Sequence, residues 1–288
     1  MRSTDELVIA VSESSNDPVL VTQNAKKIVW AGPYMICDFA ENVNLADTVE
    51  NMKTLEEGIK RYQDVLHIYE FMRCMVESGK ENFNLKEFEE IIKKSKNPKL
   101  MAYCLAYIPG IDFTQMLESL YETKCVKYIK KLEEYGIELE SLPNYQQKLK
   151  EATEYDYFPF CLEPFGTRDV NQLIPLVIDT KSPYLITELA DYIEYLRDYK
   201  GISGYDLTPL EDAQLRFAAN EPLHLYEYAA SISSSNKKRF QIAIIDNGMA
   251  KYMYYMYERV PGVDREELKQ QIDFSGSEKY RNKAGLVK

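Results

Sequence analysis

Histidine and tryptophan are almost missing from this chain: two of the first and one of the second in 288 residues. His67 and His224 are expected on the first helices of separate repeats, too far apart to share a metal, and general acid–base work needs a partner group that no spacing here supplies. Also absent are an HExxH pair, a GxSxG elbow, a Gly-rich phosphate loop and a Cys-His-Asp set at recognisable spacing. Gly201-Ile202-Ser203-Gly204 lacks a strand-turn-helix setting and reads as a flexible insertion. The sequence therefore supplies no catalytic residue, no cofactor site and no metal site.

Positive charge is scarce as well. Lys and Arg total 35 against 46 Asp and Glu, a net charge of −11. The acidity is spread over both halves, so no basic domain is hidden in the total, which argues against phosphate-backbone binding as the main task. Long apolar runs are missing; near the start the longest is Leu7 to Val11, shorter than a signal-peptide core or a membrane span. The five cysteines, Cys37, Cys74, Cys104, Cys125 and Cys161, form no CxxC pair and read as reduced, core-filling thiols of a cytoplasmic protein. Gly and Pro, 12 each, are too few for a low-complexity chain, and 45% hydrophobic content is enough for a substantial core.

What is present is repetition. Leu225-Tyr226-Glu227-Tyr228 lies over Ile68-Tyr69-Glu70-Phe71, and the pairs Phe39/Val43, Phe71/Met75, Tyr228/Ile232 and Met256/Val260 recur four residues apart. A turn and a polar starter follow: Asp47, Asp112, Asn236 and Asp264. Asn97-Pro98 and Ser182-Pro183 place a cap residue before a first-turn proline, and Pro33 and Pro222 occupy the same place with weaker caps. Pro109-Gly110 and Pro261-Gly262 stop the first helix before Asp112 and Asp264 open the second.

This spacing predicts an all-α chain, an α-solenoid of eight or nine short helical hairpins with a 27–29-residue repeat. First helices are expected to start near residues 33, 64, 98, 125, 154, 183, 222, 249 and 277. Insertions are expected at Ser78–Phe83 and Asp198–Asp206. Residues 1–30 read as a worn repeat or cap, with a small hairpin through Val19–Thr22 and Ile28–Trp30 as the alternative. Residues 31–142 form N-terminal repeats, 143–168 a degraded repeat or bend, and 169–288 C-terminal repeats with a fraying end from Lys279. Helices of about 10–12 residues do not persist alone and must be stabilised by their neighbours.

The pattern of Phe39-Ala40-Glu41-Asn42-Val43, of Ala243-Ile244-Ile245-Asp246-Asn247-Gly248, and of Tyr252-Met253-Tyr254-Tyr255-Met256 with Val260-Pro261-Gly262-Val263-Asp264, resembles a degenerate helical-hairpin repeat. Repeats of this HEAT-like kind occur in uncharacterised bacterial, phage and large-virus proteins. The resemblance implies a fold over most of residues 31–280 and no catalytic residue. Thr208-Pro209-Leu210 matches the ankyrin signature in one unit only, and the tetratricopeptide pattern fails on length and on its tryptophan and proline positions.

Two signals point toward binding. Tyrosine is abundant, 23 against 11 phenylalanines, and the run Tyr252 to Tyr257 has rings pointing around the whole helix. Tyr226, Tyr252, Tyr254, Tyr255, Tyr257, Tyr199 and Tyr205 are therefore the expected partner-binding residues, unless their hydroxyls line a groove between helices. The second is a lysine stripe: Lys93, Lys94, Lys96 and Lys99 recur one unit later as Lys124, Lys127, Lys130 and Lys131. On one ridge they would suit phosphate or an acidic partner; near helix ends they also serve the helix dipole with no ligand. Carboxylate clusters at Glu87-Phe88-Glu89-Glu90 and Glu133-Glu134 read first as solvated helix faces.

The expected function is a non-enzymatic protein-binding scaffold whose partner carries a basic surface. Its sharper form is an acidic inhibitor of a nucleic-acid-processing defence enzyme, as a phage counter-defence protein would be. The alternatives are a hydrolase with a carboxylate-lined cleft between repeats, and a nucleic-acid binder acting through the lysine stripe.

Overall fold

The computed structural model describes residues 17–43, 46–142 and 144–286. The chain divides into two compact units between Tyr157 and Phe158. Among the described residues the regular structure is entirely helical, with no strand.

The first unit holds α1 (Pro18–Ile28), α2 (Pro33–Asn42), α3 (Val49–Arg61), α4 (Val65–Glu77), α5 (Leu85–Ser95), α6 (Pro98–Tyr107), α7 (Phe113–Glu122), α8 (Val126–Glu134) and α9 (Tyr145–Glu154), with a 3-10 turn at Leu139–Ser141. Helices α2, α4, α6 and α8 pack in order, each on the next. Beside this row α1 packs on α3, and α5 on α7. The second unit holds a 3-10 segment at Phe160–Phe165, then α10 (Val170–Asp179), α11 (Pro183–Lys200), α12 (Thr208–Phe217), α13 (Pro222–Ser231), α14 (Lys237–Asn247), α15 (Ala250–Arg259), α16 (Arg265–Phe274) and α17 (Glu278–Lys283). Here the row is α11, α13, α15 and α17, with α10 packed on α12 beside it.

Local chemistry sets the helix ends. Asn97, Asp112, Ser182, Asn236 and Asp264 each accept the N–H three residues on, as N-caps do. Gly32 and Glu221 precede their prolines without a side-chain cap bond. Asp47 departs from the expected pattern. Thr48 caps α3, while the Asp47 carboxylate accepts the N–H groups of Glu81 and Asn82 and so fixes the 78–84 connection. Gly110 and Gly262 take φ of 87° and 81° at the stops after α6 and α15, where a side chain would be strained. Gly58 is needed for space: a Cβ there would lie 2.5 Å from Val29 Cγ1.

A repeated hydrogen bond ties successive second helices, and the sequence reading missed it. Glu56 accepts from the Asn84 N–H at 2.8 Å and Glu89 from the Asp112 N–H at 3.2 Å. In the second unit Glu211 accepts from the Asn236 N–H and Gln241 from the Asp264 N–H, both at 2.7 Å. All four acceptors are buried, and each follows a core residue, Leu55, Phe88, Leu210 or Phe240. The donor is in every case the N-cap of the next second helix, so the exposed end of one helix is satisfied by the flank of another.

Two further expectations are corrected. No helix starts near 154; α9 ends at Glu154, and Pro159 and Pro164 leave only the 3-10 segment that follows. The residues Asp198–Lys200, expected in an insertion, extend α11 to 18 residues before Gly201 caps it at φ 68°. Val19–Thr22 lie in α1, capped by Asp17, which agrees with the worn-repeat reading and not with the alternative β-hairpin. Leu7–Val11 lie outside the described residues. Beyond Lys279 the chain is helical to Lys283, with Tyr280 buried against Tyr254 (ring centroids 5.9 Å apart).

Candidate functional site

The tyrosines expected to face a partner are mostly internal. Tyr226, Tyr252, Tyr254 and Tyr255 are buried, on α13 and α15. Tyr226 lies 5.7 Å from Tyr255 between ring centroids, and Tyr252 lies 6.0 Å from Tyr255 with the rings edge-on. Neighbouring helices surround α15, since α13, α14, α16 and α17 all pack on it. That is why rings pointing in several directions are covered together. The Tyr254 hydroxyl donates to Glu258 at 2.8 Å, and burial pushes its own ionisation up to about 12. Tyr257, Tyr199 and Tyr205 are half-buried.

A second tyrosine row, not singled out from the sequence, runs through the first unit. Tyr69, Tyr103, Tyr107 and Tyr135 belong to α4, α6 and the end of α8. Tyr69 and Tyr103 are 5.6 Å apart between centroids, Tyr103 and Tyr135 5.7 Å, and Tyr107 and Tyr135 5.6 Å. Tyr107 is exposed, and Tyr103 and Tyr135 are half-exposed. Tyr107 and Tyr135 are 28 residues apart in the sequence, the spacing that the repeat reading itself offers.

The lysine stripe does not form one ridge. Lys99 and Lys127 are buried, at the second positions of α6 and α8. Lys93 pairs with Glu90 and donates to Gln115. Lys124 lies over Tyr155, and Lys127 and Lys131 over Tyr128. Only Lys94, Lys96 and Lys130 of the eight are exposed. Side chains of equivalent sequence position thus face different surroundings, and the basic ridge is lost.

The carboxylates of Glu87, Glu89 and Glu90 are each engaged: Glu87 with Lys60, Glu89 with the Asp112 N–H, Glu90 with Lys93. Glu133 and Glu134 are exposed. An open cleft of about 420 Å³ is lined by Glu140, Leu142, Asn144, Tyr145, Gln146 and Gln147, which bring one carboxylate and no pair. His67 is buried on α4 with Nδ1 3.3 Å from the Asp64 carboxylate, and His224 is buried on α13 with Nε2 3.5 Å from that of Glu221. Cys37, Cys74, Cys104 and Cys125 are buried, and Cys161 is half-buried. Burial pushes the Cys104 thiol far up.

An exposed aromatic paired with a cation lies elsewhere. Trp30, the single tryptophan, is 74% exposed in the turn between α1 and α2. The Arg61 guanidinium, from the end of α3, stands 4.7 Å over its ring. Tyr62, itself part-exposed, donates to the Val29 carbonyl and holds the two chain segments together at this point. Tryptophan, arginine and tyrosine are the residues most enriched where binding energy is concentrated in protein interfaces. The sequence showed Trp30 but gave no sign of its setting, because Arg61 reaches it from 31 residues away and Tyr62 reaches the neighbouring Val29 from 33.

Protein-family models, curated proteins and solved structures give no match to the chain. Among the described residues no helix is long and apolar enough to cross a membrane.

Proposed function

We propose that this protein is a non-enzymatic helical-repeat scaffold that binds another protein, with Trp30, Arg61 and Tyr62 as an anchor. The exposed Trp30 ring under Arg61 carries the reading. A tryptophan left in water forgoes roughly 2–3 kcal/mol of burial, and a docking partner would recover it. Arg61 over the ring and the Tyr62 hydrogen bond to Val29 limit the side-chain freedom still to be lost.

We also propose that each unit is a stretch of α-solenoid. The ordered rows α2–α4–α6–α8 and α11–α13–α15–α17 support this, as do the ties recurring over 23 to 28 residues. Such rows present a long surface suited to a protein partner. The engagement of Glu87, Glu89 and Glu90 favours the scaffold over a carboxylate hydrolase. The burial of Lys99 and Lys127 disfavours a nucleic-acid ridge.

Affinity capture from host lysate, after nuclease treatment, tests the reading with the wild-type chain beside Trp30→Ala/Arg61→Ala. A protein held by the first and lost by the second is the expected result, and adding this chain to an assay of a captured nucleic-acid enzyme tests the inhibitor form. Identical captures from both chains overturn the Trp30 anchor. Capture abolished by nuclease overturns the scaffold.

A further inference from the structure

The C-terminal part of the second unit departs from the charge of the whole. From Ala250 to Lys283 the chain carries seven lysines and arginines against six acidic residues, in a protein of net charge −11. Several of these cations are arranged around tyrosine rings. The Arg265 guanidinium stands 5.8 Å from the Tyr257 centroid and Lys269 Nζ 5.5 Å from it. Lys283 Nζ is 5.8 Å from both the Tyr254 and the Tyr280 centroid. The rings adjoin, Tyr254 lying 6.4 Å from Tyr257 and 5.9 Å from Tyr280. Among the described residues, Arg265, Lys269 and Lys283 make no ion pair with a carboxylate, unlike Arg259 with Glu258 and Arg281 with Asp273.

We infer that this cation–tyrosine cluster is an interaction surface for an acidic peptide segment of a partner protein, with Arg265, Lys269 and Lys283 taking its carboxylates. Three of the acids in this segment are already committed. Glu258 holds Tyr254 and Arg259, Glu267 accepts from Gln241, and Asp273 holds Arg281. Glu266 and Glu278 remain exposed. Arg265 and Lys269 are one turn apart on α16, a spacing that lets neighbouring carboxylates of an extended chain be met in turn. Rings beneath the cations hold the charged ends in place, so less side-chain freedom is lost on binding.

A nucleic acid fits less well. Its bases need open ring faces, and here cations stand over the rings.

The surface extends the scaffold reading by giving the chemistry of a partner at a second place. It does not depend on Trp30, so either can fail alone. Fluorescence anisotropy with a labelled hexaglutamate peptide at low salt is the test. The wild-type chain is expected to bind, and binding should weaken as salt screens the contact. Arg265→Glu/Lys269→Glu should lose at least tenfold in affinity, and Lys283→Glu several-fold. Lys94→Glu/Lys130→Glu should bind as wild type. Arg265→Gln/Lys269→Gln repeats the test without reversed charge, with circular dichroism verifying that each variant is folded. No binding to the wild-type chain, unchanged affinity in both Arg265/Lys269 variants, or tighter binding of oligothymidylate than of hexaglutamate overturns the inference.

Discussion

The two units solve one structural problem with different chemistry. Each must satisfy the N-terminus of a second helix from the flank of the previous one. In the first unit both acceptors are carboxylates, Glu56 and Glu89; in the second, one is Glu211 and the other the neutral Gln241. A neutral amide oxygen meets the same donor at 2.7 Å, so the position requires an acceptor of the right reach, not a charge. Gln241 also uses its amide nitrogen, donating to Glu267 at 2.6 Å, which a carboxylate could not do.

Charge is instead decisive at Glu194 on α11. This buried carboxylate accepts from the backbone N–H groups and the hydroxyls of Ser233 and Ser234, and pairs with Arg197. Burial by itself would raise its ionisation, but the serine donors outweigh it and hold the group below the ordinary glutamate range. At Glu56 and Glu89 burial prevails over a single backbone donor, and both are held above that range.

The largest expected effect tests whether each unit rests on its own aromatic core. Phe88 touches Phe71 and Phe83, with ring centroids 5.5 and 5.0 Å away, and Phe240 stacks on Tyr228 at 4.9 Å. Phe88→Ala should cost about 3–5 kcal/mol, read as a lower urea midpoint for the Trp30 fluorescence, which reports the first unit. Phe240→Ala should cost a similar amount by circular dichroism; a shift of the Trp30 signal by the same amount would show that the units do not melt separately.

Next comes Glu194→Ala, expected to cost about 3 kcal/mol because the donors of Ser233 and Ser234 lose a charged acceptor. Glu89→Ala should cost about 1–3 kcal/mol by orphaning the Asp112 N–H, while Glu89→Gln should cost almost nothing. Equal losses in the two Glu89 variants would break the comparison with Gln241 and restore charge as the requirement.

The pH dependence carries opposite signs. A carboxylate whose ionisation is raised on folding stabilises most below its unfolded value and loses that contribution as pH rises through the folded one. Glu56 and Glu89 belong to this class, so their variants should flatten a fall in stability above pH 4.5. Glu194 is depressed, so its contribution is present above the ordinary value and disappears as pH falls through the folded one. Thermal melts of Glu89→Gln and Glu194→Gln across pH 3–7 should diverge from wild type in opposite directions. The smallest effect is expected from Lys94→Glu and Lys130→Glu, within about 0.5 kcal/mol, since both side chains are exposed.

Helix ends were legible because their causes are local. Asn97-Pro98, Ser182-Pro183, Pro109-Gly110 and Asp264 act within a few residues of themselves, and the caps and stops lie at those residues. The Glu56, Glu89, Glu211 and Gln241 ties could have been noticed as an acidic or amide residue following a core position in each second helix. Their partners, 23 to 28 residues on, could not.

Burial was the hardest property to read. A period of about 100° per residue shows which way a side chain points from its own helix. It does not show how many neighbours surround that helix. Tyr252, Tyr254 and Tyr255 point apart, yet all are covered because α13, α14, α16 and α17 pack around α15. Lys99 and Lys127 disappear from the surface for a similar reason, while Trp30 stays in water. The amino-acid order by itself determined an all-helical chain and where most helices begin and end, since capping, proline geometry and glycine stops need only adjacent residues. Which rings and charges face solvent was decided by the tertiary structure, because that depends on segments of the chain that meet only after folding.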